Sequence, residues 1–170
     1  MKIDGRLMNA GKKEPLNLKE WPAPVGRLYS CARPGRGMHG KKRASVDTAV
    51  LGRWLRNLPA VGPLHIISLL GCKADGMSEF VYYPFRSCED DDDGRPTFQE
   101  WLRGEMTPHI VYEFPTCDRL PLQPRDARDR AVTRTRELLE AGRAVLVVDS
   151  GGVERTGALC NLMLASGTKT

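Results

Sequence analysis

The residues whose types and spacing could do chemistry cluster near the end of the chain: Asp149, Ser150, Gly151, Gly152, Val153, Glu154, Arg155, Thr156 and Gly157. The apolar run Val145-Leu146-Val147-Val148 precedes them, and a helix-like segment from Ala158 to Ala165 follows. Strand, glycine-bearing turn and helix is the geometry that aims several backbone N–H groups at one anion, with the helix dipole behind them. Asp118 lies in the proline-rich stretch Pro115 to Pro124. It reads as an ordinary turn residue.

Several elements must hold these residues. A strand is expected around Arg27-Leu28-Tyr29. A helix is expected after Ser45, with Val46, Val50, Leu51, Trp54, Leu55 and Leu58 on one face. Leu64 to Leu70 reads as a buried strand, Glu79 to Phe85 as another, and His109 to Phe114 as a third. Thr97 and Glu100 have capping-box spacing for a short helix from Pro96 to Arg103. Asp126 to Ala141 reads as a helix stopped by Gly142, and Ala144 to Val148 as the strand that enters the loop. The pattern is α/β, with short apolar strands expected in a mostly parallel sheet covered on both faces. Residues 1–26 read as an N-terminal arm anchored by Leu16, Leu18 and Trp21, and residues 27–170 as one domain.

Composition narrows the setting. The chain has 170 residues and a net charge of +5. That balance mildly favours anionic partners and is weak evidence for nucleic acid, which is not expected. The basic residues Arg36, Lys41, Lys42 and Arg43 read first as a solvated loop and second as a landing site for a polyanion. Glu89 to Asp93 are five consecutive carboxylates, read as a solvated loop; their spacing does not suit a divalent cage. Neither a metal nor a cofactor is expected. Cys31, Cys72, Cys88, Cys117 and Cys160 are scattered without a CxxC pair. This argues against a disulfide framework and for a reducing, intracellular compartment. No run has the length of a membrane span, and no signal-peptide core is visible.

The loop resembles the signature of cysteine-dependent protein tyrosine phosphatases, and within them the small atypical dual-specificity phosphatases. That family's pattern is His-Cys-x-x-Gly-x-x-Arg-Ser/Thr-Gly. Here Gly152, Arg155, Thr156 and Gly157 match it, while Val148 stands at the His position and Asp149 at the Cys position. The segment Phe114-Pro115-Thr116-Cys117-Asp118 resembles the family's Pro-Ile-x-Asp segment, with Thr116 at the Ile position and Asp118 at the general acid. The resemblance runs from about Arg27 to the end and implies a protein tyrosine phosphatase-like fold.

It also implies roles. Residues Ser150 to Arg155 would form the phosphate-binding loop, Arg155 would clamp phosphate oxygens, the Thr156 hydroxyl would face the nucleophile, and Asp118 would protonate the leaving group. The nucleophile is missing. A carboxylate is a poor nucleophile toward a phosphate ester without a metal. Asp149 is instead expected to satisfy the loop amides and Arg155 as a built-in substitute for phosphate. The expected function is therefore a catalytically inactive pseudophosphatase, a binding or regulatory module for a phosphoprotein or other anionic ligand. An active phosphatase with an unusual site is one alternative. A structural protein that uses its basic loop on an acidic partner is another. The family commonly packs more helix after the signature than the thirteen residues that follow Gly157 here. Self-association, or a swapped element, burying Leu159, Leu162, Met163 or Leu164 is therefore expected.

Overall fold

The computed structural model describes residues 15, 17–35, 48–73 and 75–166. The basic segment 36–43 and the expected helix start at Ser45 to Asp47 lie outside the described residues, as does Leu16. The chain runs β1 (Lys19–Trp21), β2 (Arg27–Ala32), α1 (Thr48–Arg56), β3 (Leu64–Ser68), a 3-10 turn (Glu79–Tyr82), α2 (Phe98–Gly104), β4 (Ile110–Glu113), α3 (Arg125–Glu140), β5 (Ala144–Asp149) and α4 (Glu154–Ser166). The sheet order is β1-β2-β5-β3-β4. β2, β5, β3 and β4 are parallel, and β1 is an antiparallel edge strand. The fold is thus α/β with a mostly parallel sheet. The last part of the expected arm belongs to that sheet: the Trp21 indole N–H donates to Ser30 Oγ at 2.8 Å.

Alternation along the strands divides the core in two. Leu146 and Val148 of β5 join Cys31, Ile66, Val50, Leu51, Trp54, Phe98 and Leu102 on the face covered by α1 and α2. Val145 and Val147 join Leu28, Ile67, Ala131, Leu138, Leu159 and Met163 on the face covered by α3 and α4. Both faces of β5 are therefore dry, which is why its sequence is apolar throughout. The capping box of α2 is complete: Glu100 N–H donates to Thr97 Oγ1 and Thr97 N–H to Glu100 Oε2. Two residues past the end of α3 stands Gly142, whose φ of +72° ordinary side chains resist.

Two expectations need correction. Glu79 to Phe85 is not a strand. Its aromatic residues gave it a strand-like composition, but Phe80, Tyr83 and Phe85 pack into the aromatic cluster around Phe98. The Ser78 hydroxyl accepts from Phe80 N–H and starts a 3-10 turn instead. Nor do Leu159 and Met163 await a partner: α4 folds back on β5 and α3, and both are buried within the chain. Of the four residues assigned to self-association, Leu162 is the one that remains a large exposed apolar side chain.

The acidic run is a solvated loop held at one end. Asp93 pairs with Arg95 at 2.7 Å, and Asp92 lies 3.7 Å from Arg86. Arg95 also donates to the carbonyls of Phe80 and Tyr83, which ties the loop to the aromatic cluster.

At the end of β4, Glu113 has a sealed Oε1 with no hydrogen-bond partner. Burial pushes its carboxyl up to about 7, against the opposing pull of Arg86. The unfolded chain releases that proton near pH 4.3. Between these values the folded state keeps a proton that the unfolded state has lost, so stability falls as pH rises through the window. Glu113→Gln is expected to match wild type near pH 4 and to exceed it by up to about 3–4 kcal/mol at pH 8. Urea unfolding across this range checks it; a difference that does not change with pH would remove the assignment.

Candidate functional site

The carboxyl ends of the four parallel strands converge on one edge, the place where open α/β sheets gather functional loops. β2 delivers Arg33, β3 delivers Leu69 to Cys72, β4 delivers Pro115 to Asp118, and β5 delivers Asp149 and the turn into α4. The turn comes close to its neighbours. Gly152 has a φ of +69°, and a Cβ there would lie 2.2 Å from the backbone N of Ala32. No other residue fits, because the obstacle is the main chain of β2.

Asp149 is 2% exposed and points into this turn. Its Oδ1 accepts from the N–H groups of Gly151, at 2.8 Å, and Gly152. Its Oδ2 accepts from Thr156 N–H at 2.8 Å. One carboxylate thus binds both the turn and the first residues of α4, where the helix dipole favours negative charge. Its main-chain carbonyl accepts from Arg33 N–H at 2.8 Å. The Thr156 hydroxyl is buried and has no hydrogen-bond partner. Asn17 closes the outer side, donating from its side chain to the Gly151 carbonyl at 2.6 Å. Ser150 is half-buried, with Arg33 Nε 3.5 Å from its hydroxyl. Val153 and Glu154 face outward.

Arg155 is committed elsewhere. It forms a two-pronged pair with Glu79: Nη2 to Oε1 at 2.6 Å and Nη1 to Oε2 at 2.9 Å. Nη1 also donates to the carbonyls of Leu69, at 2.8 Å, and Thr116, at 3.0 Å. The side chains of Arg155 and Glu79 are 2% and 1% exposed. Burial opposes the guanidinium charge, but hydrogen bonds and charge from Glu79, together with Asp149 and Asp118, outweigh it and raise the Arg155 pKa. Glu79 Oε2 accepts from Gly71 N–H at 2.8 Å as well. A Cβ on Gly71 would meet the Thr116 carbonyl at 2.5 Å, so the loops after β3 and β4 lie against each other through glycine.

Asp118 stands beside this pair. Its N–H donates to the Cys72 carbonyl at 3.0 Å, and its Oδ1 is sealed without a hydrogen-bond partner. Cys72 and Cys117 are joined in a disulfide. This corrects the reading of the cysteines as unbonded, and it counts against the expected reducing compartment. The two are 45 residues apart in sequence and meet because β3 and β4 are neighbours in the sheet. Cys31 and Cys160 are buried. No helix among the described residues is long and apolar enough to cross a membrane.

The structure therefore gathers Asp149, Gly151, Gly152 and Thr156 into one cradle, with Arg155 and Asp118 beside it. Sequence reasoning did not find Glu79, Arg33 or Asn17. Glu79 carries no local signal, since it lies 76 residues from Arg155 in a stretch whose composition suggests a strand. Arg33 could have been sought as the polar residue that ends a buried strand at the ligand edge of the sheet. Comparison with protein-family models, curated proteins and solved structures finds no match to this chain.

Proposed function

We propose that this chain is a dual-specificity-phosphatase-like protein that does not hydrolyse phosphate esters and serves as a binding or regulatory module. The observation that carries the reading is the occupied cradle. The amides of Gly151, Gly152 and Thr156 donate to Asp149, a carboxylate of the chain itself. An incoming phosphate would face a buried negative charge where it needs donors. The second donor set of such a site, the Arg155 guanidinium, is held by Glu79. Asp118 keeps the place of a proton donor, but a general acid does nothing without a nucleophile. The phosphatase-like assignment itself draws on the strand-turn-helix at β5 and α4, on Gly152, Arg155, Thr156 and Gly157, and on Asp118 after β4.

The test is hydrolysis of a small aryl phosphate by purified wild type, with and without added Mg²⁺. No turnover above the buffer rate is expected in either condition. Asp149→Cys supplies a thiol under the same amides and is expected to stay far below a working phosphatase while Arg155 remains paired with Glu79. Metal-independent wild-type turnover that is abolished by Asp149→Asn would overturn the proposal and identify Asp149 as a nucleophile.

A further inference from the structure

The Cys72–Cys117 disulfide does more than join two neighbouring loops. Cys72 follows Gly71, which donates to Glu79, and Cys117 follows Thr116, whose carbonyl accepts from Arg155. Cys117 also precedes Asp118. The bond thus sits between the buried Arg155–Glu79 pair and the Asp118 loop.

Backbone bonds also cross this seam. Cys72 N–H donates to the Thr116 carbonyl at 3.3 Å, and Asp118 N–H donates to the Cys72 carbonyl at 3.0 Å. Inside the loop, Cys117 N–H donates to the Gln123 carbonyl at 2.8 Å. The outer part of the loop is open to solvent, with Leu120 58% exposed. Thr116 itself is anchored, its hydroxyl donating to the Leu69 carbonyl at 2.9 Å. Leu122 is buried in the core with Ile67 and Leu69 and anchors the far end of the loop, so opening the disulfide would loosen residues 117–121 and leave the buried pair in place.

The bond is reachable. Cys72 and Cys117 are both partly exposed and line a cleft of about 270 Å³, together with Ser78, Ser87, Glu89 and Asp90. Cys31 and Cys160 are buried; Cys88 is exposed beside the cleft, between Ser87 and Glu89, and burial of its sulfur with the nearby Glu113 and Glu89 pushes its thiol up to about 11. Exchange with one of the chain's own thiols would only move the bond, so net opening needs an outside reductant, and Glu89 and Asp90 at the cleft disfavour an anionic one.

We propose that Cys72–Cys117 is a redox-operated clasp on the Asp118 loop, opened by an uncharged or cationic dithiol. One thiolate of the dithiol attacks a protein sulfur and forms a mixed disulfide, and the other protein sulfur leaves as a thiolate and takes a proton. The second thiol of the reductant then displaces the remaining protein sulfur, so the protein gains two electrons and two protons and the dithiol becomes a disulfide. The inference does not rest on the phosphatase-like reading.

The test uses the full chain and dithiothreitol. Alkylation in denaturant without reductant should label three of the five cysteines, leaving Cys72 and Cys117 unlabelled. After reduction, amide exchange at 117–120 should rise at least tenfold, while β5 and α4 keep their protection, and reoxidation should restore the slow rates. The Cys72→Ser/Cys117→Ser variant should exchange like the reduced protein with or without reductant. At matched thiolate concentration, glutathione should reduce the bond more slowly than dithiothreitol, and Glu89→Gln/Asp90→Asn should narrow that gap about threefold. Five labelled cysteines, unchanged exchange in the loop, or an equal rise across the whole sheet would each overturn the clasp. A gap between reductants that ignores the two carboxylates would overturn the reductant class.

Discussion

Glu79→Ala is expected to destabilise the protein by about 3–5 kcal/mol, because it strands the Arg155 guanidinium in a dry site without its counter-charge. The two side chains are among the most enclosed charged groups described, at 1% and 2% exposure. Removing the carboxylate also takes the acceptor from Gly71 N–H, which lies where the loops after β3 and β4 touch. For a chain of this size the loss corresponds to a fall in melting temperature of roughly 10 °C. Arg155→Ala should cost a similar amount, since it leaves Glu79 charged and the carbonyls of Leu69 and Thr116 short of a donor. The double variant should lose much less than the sum of the two, because each single change already removes the pair and leaves the partner charge behind. Strictly additive losses in urea unfolding would mean that the two side chains do not act as a unit.

That result would also separate two roles for Arg155. As a phosphate clamp it would face the cradle, and its removal would leave the fold nearly intact. In this structure it ties the start of α4 to the loops after β3 and β4. Its charge is met by Glu79, and the charge wanted by the cradle amides is supplied by Asp149. Two carboxylates thus fill the two donor sets that a bound oxyanion would need, one from the adjacent strand and one from a distant turn. The site is electrostatically complete without a ligand. An incoming oxyanion would have to displace one of these carboxylates, and the proposed absence of turnover rests on that.

How much of this was legible in the sequence differs from residue to residue, for physical reasons. The turn from β5 to α4 could be read because every part of it is local: an apolar strand, a glycine at the positive-φ position and a helix-like continuation. The Thr97–Glu100 capping box could be read for the same reason, as both partners sit within one helical turn. The partner of Arg155 could not. It depends on the order β2-β5-β3-β4, which brings the loops after β3 and β4 together and swings the 79–82 turn across them. Residues 79–85 then misled, because aromatic side chains favour strands in isolation but here are drawn into the cluster around Phe98. The Cys72–Cys117 bond was hidden in the same way: adjacency in the sheet has no signature in spacing.

Asp149→Ala is the change expected to convert the filled cradle into an empty one. Three backbone N–H groups lose a charged acceptor at once, from Gly151, Gly152 and Thr156. Water entering the space recovers part of that loss, so a net cost of about 3–4 kcal/mol is expected. Asp149→Asn should cost less, because its amide oxygen can still accept from Gly151 and Gly152 while its NH₂ group opposes Thr156 N–H. The Ala variant then offers oriented amides at the start of α4 and no resident negative charge. Sulfate or inorganic phosphate should raise its melting temperature by several degrees beyond chloride at equal ionic strength, since an anion at a hundred times its dissociation constant contributes about 2.7 kcal/mol. Wild type should show no such excess, because the place is taken. If sulfate stabilises wild type as much as the Ala variant, the carboxylate does not occupy the anion position. The donors that bind the ion must then lie elsewhere along the ligand edge of the sheet.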